Sequence, residues 1–127
     1  MALEYCGIRV TDLDRSLKFY TGALGLRELR RGTMEHGGLF ILLEDPETSQ
    51  RLELNFYPPN NRFWTPFSQG EGLDHLGFKV KDARATLARL LAEGATAAVE
   101  PWEESGYVIG FVKDPDGHWI EVYDTGP

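Results

Sequence analysis

The sequence predicts an α+β fold of two βαβββ repeats that form one curved mixed sheet with two helices behind it. Each half of the chain carries a short alternating segment, a helical stripe and three more alternating segments, in that order. Matching residues also recur 70 and 68 positions apart, as Asp12 does at Asp82 and Glu53 does at Glu121. Because neither repeat can bury a sheet face alone, we expect the two to share a core.

The first repeat starts with a strand at 5–10, whose residues alternate between apolar and other types. Asp12 can cap the helix that follows, and leucines together with Tyr20 form the apolar stripe of that helix. Gly22 and Gly25 end it. Three strands should follow, at 26–31, 39–43 and 51–57.

The second repeat has the same order. A strand at 75–80 precedes Asp82, which can cap a helix that carries leucines on one side and closes at Gly94. Further strands are expected at 95–99, 107–113 and 118–123. The last of these follows the sequence Asp-Pro-Asp-Gly at 114–117, which is typical of a tight turn.

The domain organisation follows from the repeat. We expect a single domain over residues 1–127, with an N-terminal module at 4–57 and a C-terminal module at 73–124. The segment 58–72 between them is rich in proline and also carries Phe63, Trp64 and Phe67. It is either a linker whose aromatic residues dock on the core or a lid over a substrate.

Composition excludes several classes of function. The net charge of −7 argues against a nucleic-acid partner, which would need a basic surface. With Cys6 as the single cysteine, an intrachain disulfide cannot form, and a reducing compartment fits. We see no signal peptide and no apolar run of membrane-spanning length, so the expected localisation is cytoplasmic and no membrane partner is expected.

The alternation also predicts a site. If the apolar face of each strand packs against the helices, the other face carries Tyr5, Glu53, His75 and Glu121 at repeat-related positions. An imidazole and two carboxylates form a plausible set of ligands for one divalent metal such as Zn, Ni, Co, Mn or Fe. The alternative is that these are solvated residues on an open sheet face.

Four segments of the chain resemble a known superfamily: IRVTDLDRSLKFYTGALGL, RLELNFY, DHLGFKV and FVKDPDGHWIEVYD. They are similar to the vicinal-oxygen-chelate (VOC) proteins, which include glyoxalase I, extradiol dioxygenases, methylmalonyl-CoA epimerase and the fosfomycin and bleomycin resistance proteins. The resemblance covers nearly the whole chain. Within the superfamily it is strongest to glyoxalase I (lactoylglutathione lyase).

The resemblance implies a site. Glyoxalase I has ligands in the order His or Gln, Glu, His, Glu, and the last three positions correspond to Glu53, His75 and Glu121. Tyr5 stands at the first position, where it could coordinate the metal, donate a hydrogen bond to the substrate or leave a three-ligand site. Arg9 matches an arginine that binds a glutathione carboxylate. The resemblance also implies a homodimer.

The match to glyoxalase I departs at the glutathione site. The asparagine that glyoxalase I uses for glutathione corresponds to Tyr57, although Asn55 lies on the same face. We therefore expect the substrate-binding residues to be Arg9, Asn55, Tyr57, Trp119 and Tyr123.

Three functions stay open. The first is a metal-dependent lyase or isomerase that acts on a small substrate with vicinal oxygens through an enediolate, with Glu121 or Glu53 as the catalytic base. The second is a binding or antibiotic-resistance protein without chemistry, whose aromatic face receives a small molecule. The third is an extradiol dioxygenase, which needs a second histidine that neither His36 nor His118 is positioned to supply.

Overall fold

The computed structural model describes residues 4–34, 37–61, 63–69, 73 and 75–126. These residues form two compact units, one at 1–67 and the other at 68–127. Each unit holds one four-stranded mixed sheet, with order β1-β4-β3-β2 in the first and β5-β8-β7-β6 in the second. The α+β class and the βαβββ order of both repeats are confirmed. Where one curved sheet was expected, the hydrogen-bonded strands form two.

The first unit follows the predicted order and adds a π-helix that was not predicted. Its elements are β1 (Cys6–Arg9), helix α1 (Leu13–Lys18), a π-helix (Phe19–Ala23), β2 (Arg27–Thr33), β3 (Leu39–Glu44) and β4 (Arg51–Phe56). Strand β1 pairs in parallel with β4, whereas β3 is antiparallel to both of its neighbours. The predicted single helix widens at Phe19, whose carbonyl accepts from Leu24 N at 3.1 Å.

The second unit repeats this plan without the π-helix. Its elements are β5 (His75–Lys79), α2 (Ala83–Ala92), β6 (Thr96–Glu104), β7 (Tyr107–Lys113) and β8 (Trp119–Asp124). Strand β6 continues five residues beyond the predicted end at 99. Register shifts between Ala97 and Val99 and between Val99 and Trp102 break the alternation there, which hid the second part of the strand.

The two helix starts show how closely the repeat is kept. Asp12 has φ −140° and ψ 103°, and its side chain accepts from Arg15 N. Asp82 has φ −141° and ψ 100°, and its side chain accepts from Ala85 N. Each helix therefore begins at the predicted cap, in which a carboxylate satisfies one of the free N–H groups of the first turn.

The burial pattern confirms the predicted faces of the last strand in each repeat. Leu54 in β4 and Ile120 in β8 have no exposed surface, while Glu53 and Glu121 beside them are half-buried. In β1, Ile8 is buried as expected, but Cys6 on the same predicted face is exposed. None of the helices in the described ranges has the length and apolar character to cross a membrane.

The turn before β8 has the predicted geometry. One oxygen of Asp114 accepts from the N–H groups of Asp116 and His118, at 2.9 and 2.7 Å. Gly117 has φ +87°, a conformation that glycine adopts without strain, and its N–H donates to the Asp114 carbonyl. This turn fixes the point at which β8 starts, and so the face on which its side chains lie.

Candidate active site

In the first unit, the polar face of β4 carries a hydrogen-bonded pair. The Asn55 side chain donates from Nδ2 to Oε1 of Glu53 at 2.8 Å. Glu53 lies opposite Gly7 in the parallel pairing of β1 with β4, and Asn55 lies opposite Arg9. Because the two residues are two apart on one strand, they share one sheet face. The carboxylate is thus fixed by its own strand.

Arg9 is held by the chain that follows β4. Its guanidinium donates to the hydroxyl of Thr65 at 2.8 Å and lies 5.8 Å from the ring centre of Trp64. Phe63 approaches Tyr57, with 5.9 Å between the ring centres. The described part of the segment between the repeats therefore contacts two predicted substrate-binding residues, Arg9 and Tyr57.

Tyr5, the residue at the first predicted ligand position, lies just before β1. It is 48% exposed. Its phenol therefore has room to meet a ligand that approaches from solvent.

In the second unit, β5 and β8 bring together the other two predicted ligands. His75 Nε2 lies 3.3 Å from Glu121 Oε2, and the two side chains keep 37% and 25% of their surface exposed. His75 pairs with Trp119 in the register of the two parallel strands, whereas Glu121 pairs with Gly77. The sheet thus joins an imidazole nitrogen and a carboxylate oxygen at an accessible position.

Aromatic residues surround this pair. Phe111 lies opposite Glu121 on β7, and its ring centre is 5.6 Å from His75, 5.5 Å from Trp119 and 6.1 Å from Trp102. The Trp102 ring is nearly parallel to that of Phe111, at 14°. We call Trp102, Phe111 and Trp119 the aromatic cluster.

The sequence reasoning missed part of this cluster. Phe111 was not among the predicted site residues, and Trp102 lies in β6 beyond the predicted end of that strand at 99. One feature of the sequence could have indicated Phe111, because it alternates along β7 with Gly110 and Val112, which are buried. The pairing of β7 with β8 puts Phe111 on the sheet face that carries Glu121. Tyr123, another predicted site residue, contacts Tyr107 instead, at 6.4 Å between ring centres.

Of the other two histidines, His118 belongs to a different part of the second unit. His118 Nδ1 lies 2.8 Å from Asp114 Oδ2, and its side chain is only 11% exposed. It therefore belongs to the turn before β8. His36 lies outside the described residues.

The types of donor group in the two units suit a divalent metal ion, although the described residues of neither unit alone supply a full set of metal ligands. The first unit offers the Glu53 carboxylate, and the second offers the His75 imidazole and the Glu121 carboxylate, which are ligands that Zn, Ni, Co, Mn and Fe accept. Within the described part of each unit, no three His, Cys, Asp or Glu side chains are grouped so as to hold a metal ion.

A buried carboxylate anchors β8 on the opposite face. Asp124 accepts from the N–H groups of Ala83 and Gly126, at 2.7 and 2.9 Å. These two backbone hydrogen bonds hold the pKa of Asp124 below its usual value. The strand that carries Glu121 is thereby tied to the first turn of α2.

Comparison with known proteins identifies the family. The sequence model of the Glyoxalase/Bleomycin resistance protein/Dioxygenase superfamily matches residues 2–122. The chain is 34% identical to a lactoylglutathione lyase of Haemophilus influenzae, over 98% of this chain and 93% of that protein. It is 32% identical to a probable lactoylglutathione lyase of Synechocystis, over 98% and 96% of the two chains.

A solved structure shows the same likeness. The trypanothione-dependent glyoxalase I of Leishmania major superposes with a TM-score of 0.77 at 33% identity, over 98% of this chain and 88% of that one. Sequence and fold therefore agree over nearly the full length. The chain belongs to the Glyoxalase/Bleomycin resistance protein/Dioxygenase superfamily.

Proposed function

We propose that the protein is a metal-dependent lyase or isomerase of the glyoxalase I type. The observation that carries this proposal is the identity to lactoylglutathione lyases over nearly the whole chain, together with the His75–Glu121 pair at 3.3 Å. Glu53, on the corresponding strand of the other repeat, supplies the second carboxylate. The substrate class is a small molecule with two vicinal oxygens.

Glu53, His75 and Glu121 would hold the metal, and Tyr5 stands at the remaining position of the set. A bound divalent ion would act as a Lewis acid on the two substrate oxygens. His75 binds as the neutral imidazole, because only an unprotonated nitrogen can coordinate. The donors come from both repeats, of one chain or of two copies in a homodimer.

The chemical step that the chain performs is a proton transfer. Glu121 or Glu53 removes a proton from one substrate carbon as a general base and returns it to the adjacent carbon as a general acid. Both carboxylates are half-buried, so each keeps contact with the sheet face while one side stays accessible. The net reaction moves one hydrogen between neighbouring carbons and needs no external oxidant or reductant.

The remaining predicted residues would bind the rest of the substrate. Arg9 supplies a cationic group for a substrate carboxylate. Asn55 and Tyr57 lie on or next to the face of β4 that carries Glu53, while Trp119 and Tyr123 offer flat apolar surface on β8. The setting we propose is the cytoplasm.

Turnover of α-ketoaldehyde–thiol adducts tests this function. Glu121→Gln and Glu53→Gln should each lower kcat by about 100-fold or more, since an amide cannot move the proton. Glu100→Gln, on the exposed part of β6, is the matched control and should keep full activity. Unchanged turnover in both site variants would contradict the proposal.

A second candidate function is small-molecule binding without chemistry. The aromatic cluster favours it, because the Phe111 ring centre lies 6.1 Å from that of Trp102 and 5.5 Å from that of Trp119, and such rings suit a flat apolar or cationic ligand. Trp119 fluorescence should then be quenched by aromatic ligands in protein stripped of metal. If turnover of the adducts depends on added metal, this candidate is excluded as the main function.

A further inference from the structure

We infer that Asn55 is a positioning residue for Glu53, and that Gly7 is the residue that gives it room. The inference rests on the proposed function, because it takes Glu53 to be a ligand of the metal. It assigns to Asn55 a role in addition to the substrate contact proposed above.

The first step is the contact itself. Asn55 Nδ2 donates to Glu53 Oε1 at 2.8 Å, and both side chains are half-buried on the polar face of β4. A hydrogen bond to one oxygen limits rotation of the carboxylate and leaves Oε2 as the oxygen that can meet a cation. Hydrogen bonds of this kind orient ligating carboxylates and tune their affinity for the metal.

The second step is the space that the amide occupies. A Cβ atom at Gly7 would lie 2.8 Å from Oδ1 of Asn55, which is closer than real Cβ atoms approach other atoms. Gly7 has no positive φ, so its backbone conformation does not require glycine. What it provides is room on β1, directly across from Glu53, for the oxygen end of the Asn55 amide.

The repeat supplies an internal comparison. Gly77 pairs with Glu121 as Gly7 pairs with Glu53, yet none of the described atoms lies within 4 Å of a Cβ built at Gly77. Glu121 is approached by His75, whereas Glu53 is approached by Asn55. A Cβ atom at this glycine position would therefore meet a side chain in the first repeat but not, among the described atoms, in the second. The difference indicates that the absence of a side chain at Gly7 is matched to the position of the Asn55 amide.

Titration of the metal-stripped protein with cobalt chloride, followed by calorimetry, tests the inference. Asn55→Ala should raise the Kd for Co²⁺ about 10- to 100-fold, the range seen when the partner of a metal ligand is lost. Gly7→Ala should raise it too, because the amide must move away from Glu53. The matched controls are Asn60→Ala at an exposed position and Gly22→Ala, whose Cβ would meet nothing within 4 Å among the described atoms.

The outcomes separate this inference from the proposed function. If Glu53→Gln weakens Co²⁺ binding but Asn55→Ala and Gly7→Ala do not, Asn55 does not position Glu53, and the proposed function stands. If the wild-type protein binds no Co²⁺, or Glu53→Gln leaves its Kd unchanged, both proposals are wrong.

A second measurement needs no metal. The Nδ2 proton of Asn55 that is bonded to Glu53 should resonate downfield in the NMR spectrum of the apoprotein, and Glu53→Ala should move it upfield. A resonance that does not respond to Glu53→Ala would overturn the inference even if the Kd values changed.

Discussion

Asp124 shows how a single residue links pH to the stability of the second repeat. Its carboxylate is buried and accepts two backbone N–H groups, one of them at the start of α2. These bonds favour the charged form and lower its pKa. A carboxyl group with a lowered pKa stabilises the fold above its unfolded-state pKa, and this contribution is lost as the pH falls through the lower, folded-state pKa.

We therefore expect Asp124→Asn to lower the Tm clearly at pH 7 and progressively less as the pH falls below about 4, because the carboxyl group takes up a proton first in the unfolded chain and, at still lower pH, in the folded protein. Thermal denaturation between pH 7 and pH 3 measures this. Glu103→Gln, at an exposed position on β6, is the control and should follow the wild type. A Tm difference that stays constant over this pH range would contradict the assigned role.

Gly117 is the second residue whose identity the structure explains. Its φ of +87° suits glycine, and a Cβ there would collide with the Gln69 side chain. Gly117→Ala should destabilise the protein by about 1–3 kcal/mol, measured by denaturant unfolding. Adding Gln69→Ala to this variant should restore the share of the lost stability that comes from the collision between the two side chains. If the double variant recovered all of the lost stability, the positive φ at position 117 would carry no energetic cost for alanine, which would contradict our expectation.

At the level of elements, alternation was sufficient to predict the strands that carry the proposed metal ligands. In β4 and β8 the period of two placed Glu53 and Glu121 on the face opposite the buried Leu54 and Ile120. Both helix starts were predictable as well, since an aspartate cap is a local feature.

What could not be predicted depends on strand register, on helix winding and on side-chain geometry. The register shifts of β6 against β7 place Trp102 beside Phe111, and no period in the sequence shows them. The apolar residues of the first helix keep an α-helical spacing through Phe19–Ala23, so the sequence does not reveal the π-helix there. The Asn55–Glu53 hydrogen bond can be recognised only from the side-chain positions, because the sequence shows only that both residues lie on one sheet face.

The contrast between β8 and β6 gives a prediction at this scale. Ile120→Ala should lower the free energy of unfolding by about 2–5 kcal/mol, since the Ile120 side chain in β8 has no exposed surface. Val99→Ala, on the shifted strand β6, should change it by less than about 0.5 kcal/mol because Val99 is exposed. Equal losses in denaturant unfolding would show that β6 is packed as tightly as β8.

At the scale of the whole molecule, the two repeats divide the proposed metal ligands. Glu53 belongs to the first unit and the His75–Glu121 pair to the second, so the proposed function requires both repeats. The homodimer that the family resemblance implies can be tested by light scattering coupled to size exclusion, which should give twice the mass of one chain. A single-chain mass at the concentrations used for activity would contradict it.

The measurement that tests the central claim most directly is the metal content of the purified protein by elemental analysis, with His75→Ala alongside. The account predicts about one divalent metal ion per chain in the wild type and its loss in the variant, because a site with three protein ligands does not survive removal of one. Protein that binds no metal after incubation with Ni, Co, Zn and Mn, or a variant that keeps its metal, would contradict the proposed centre.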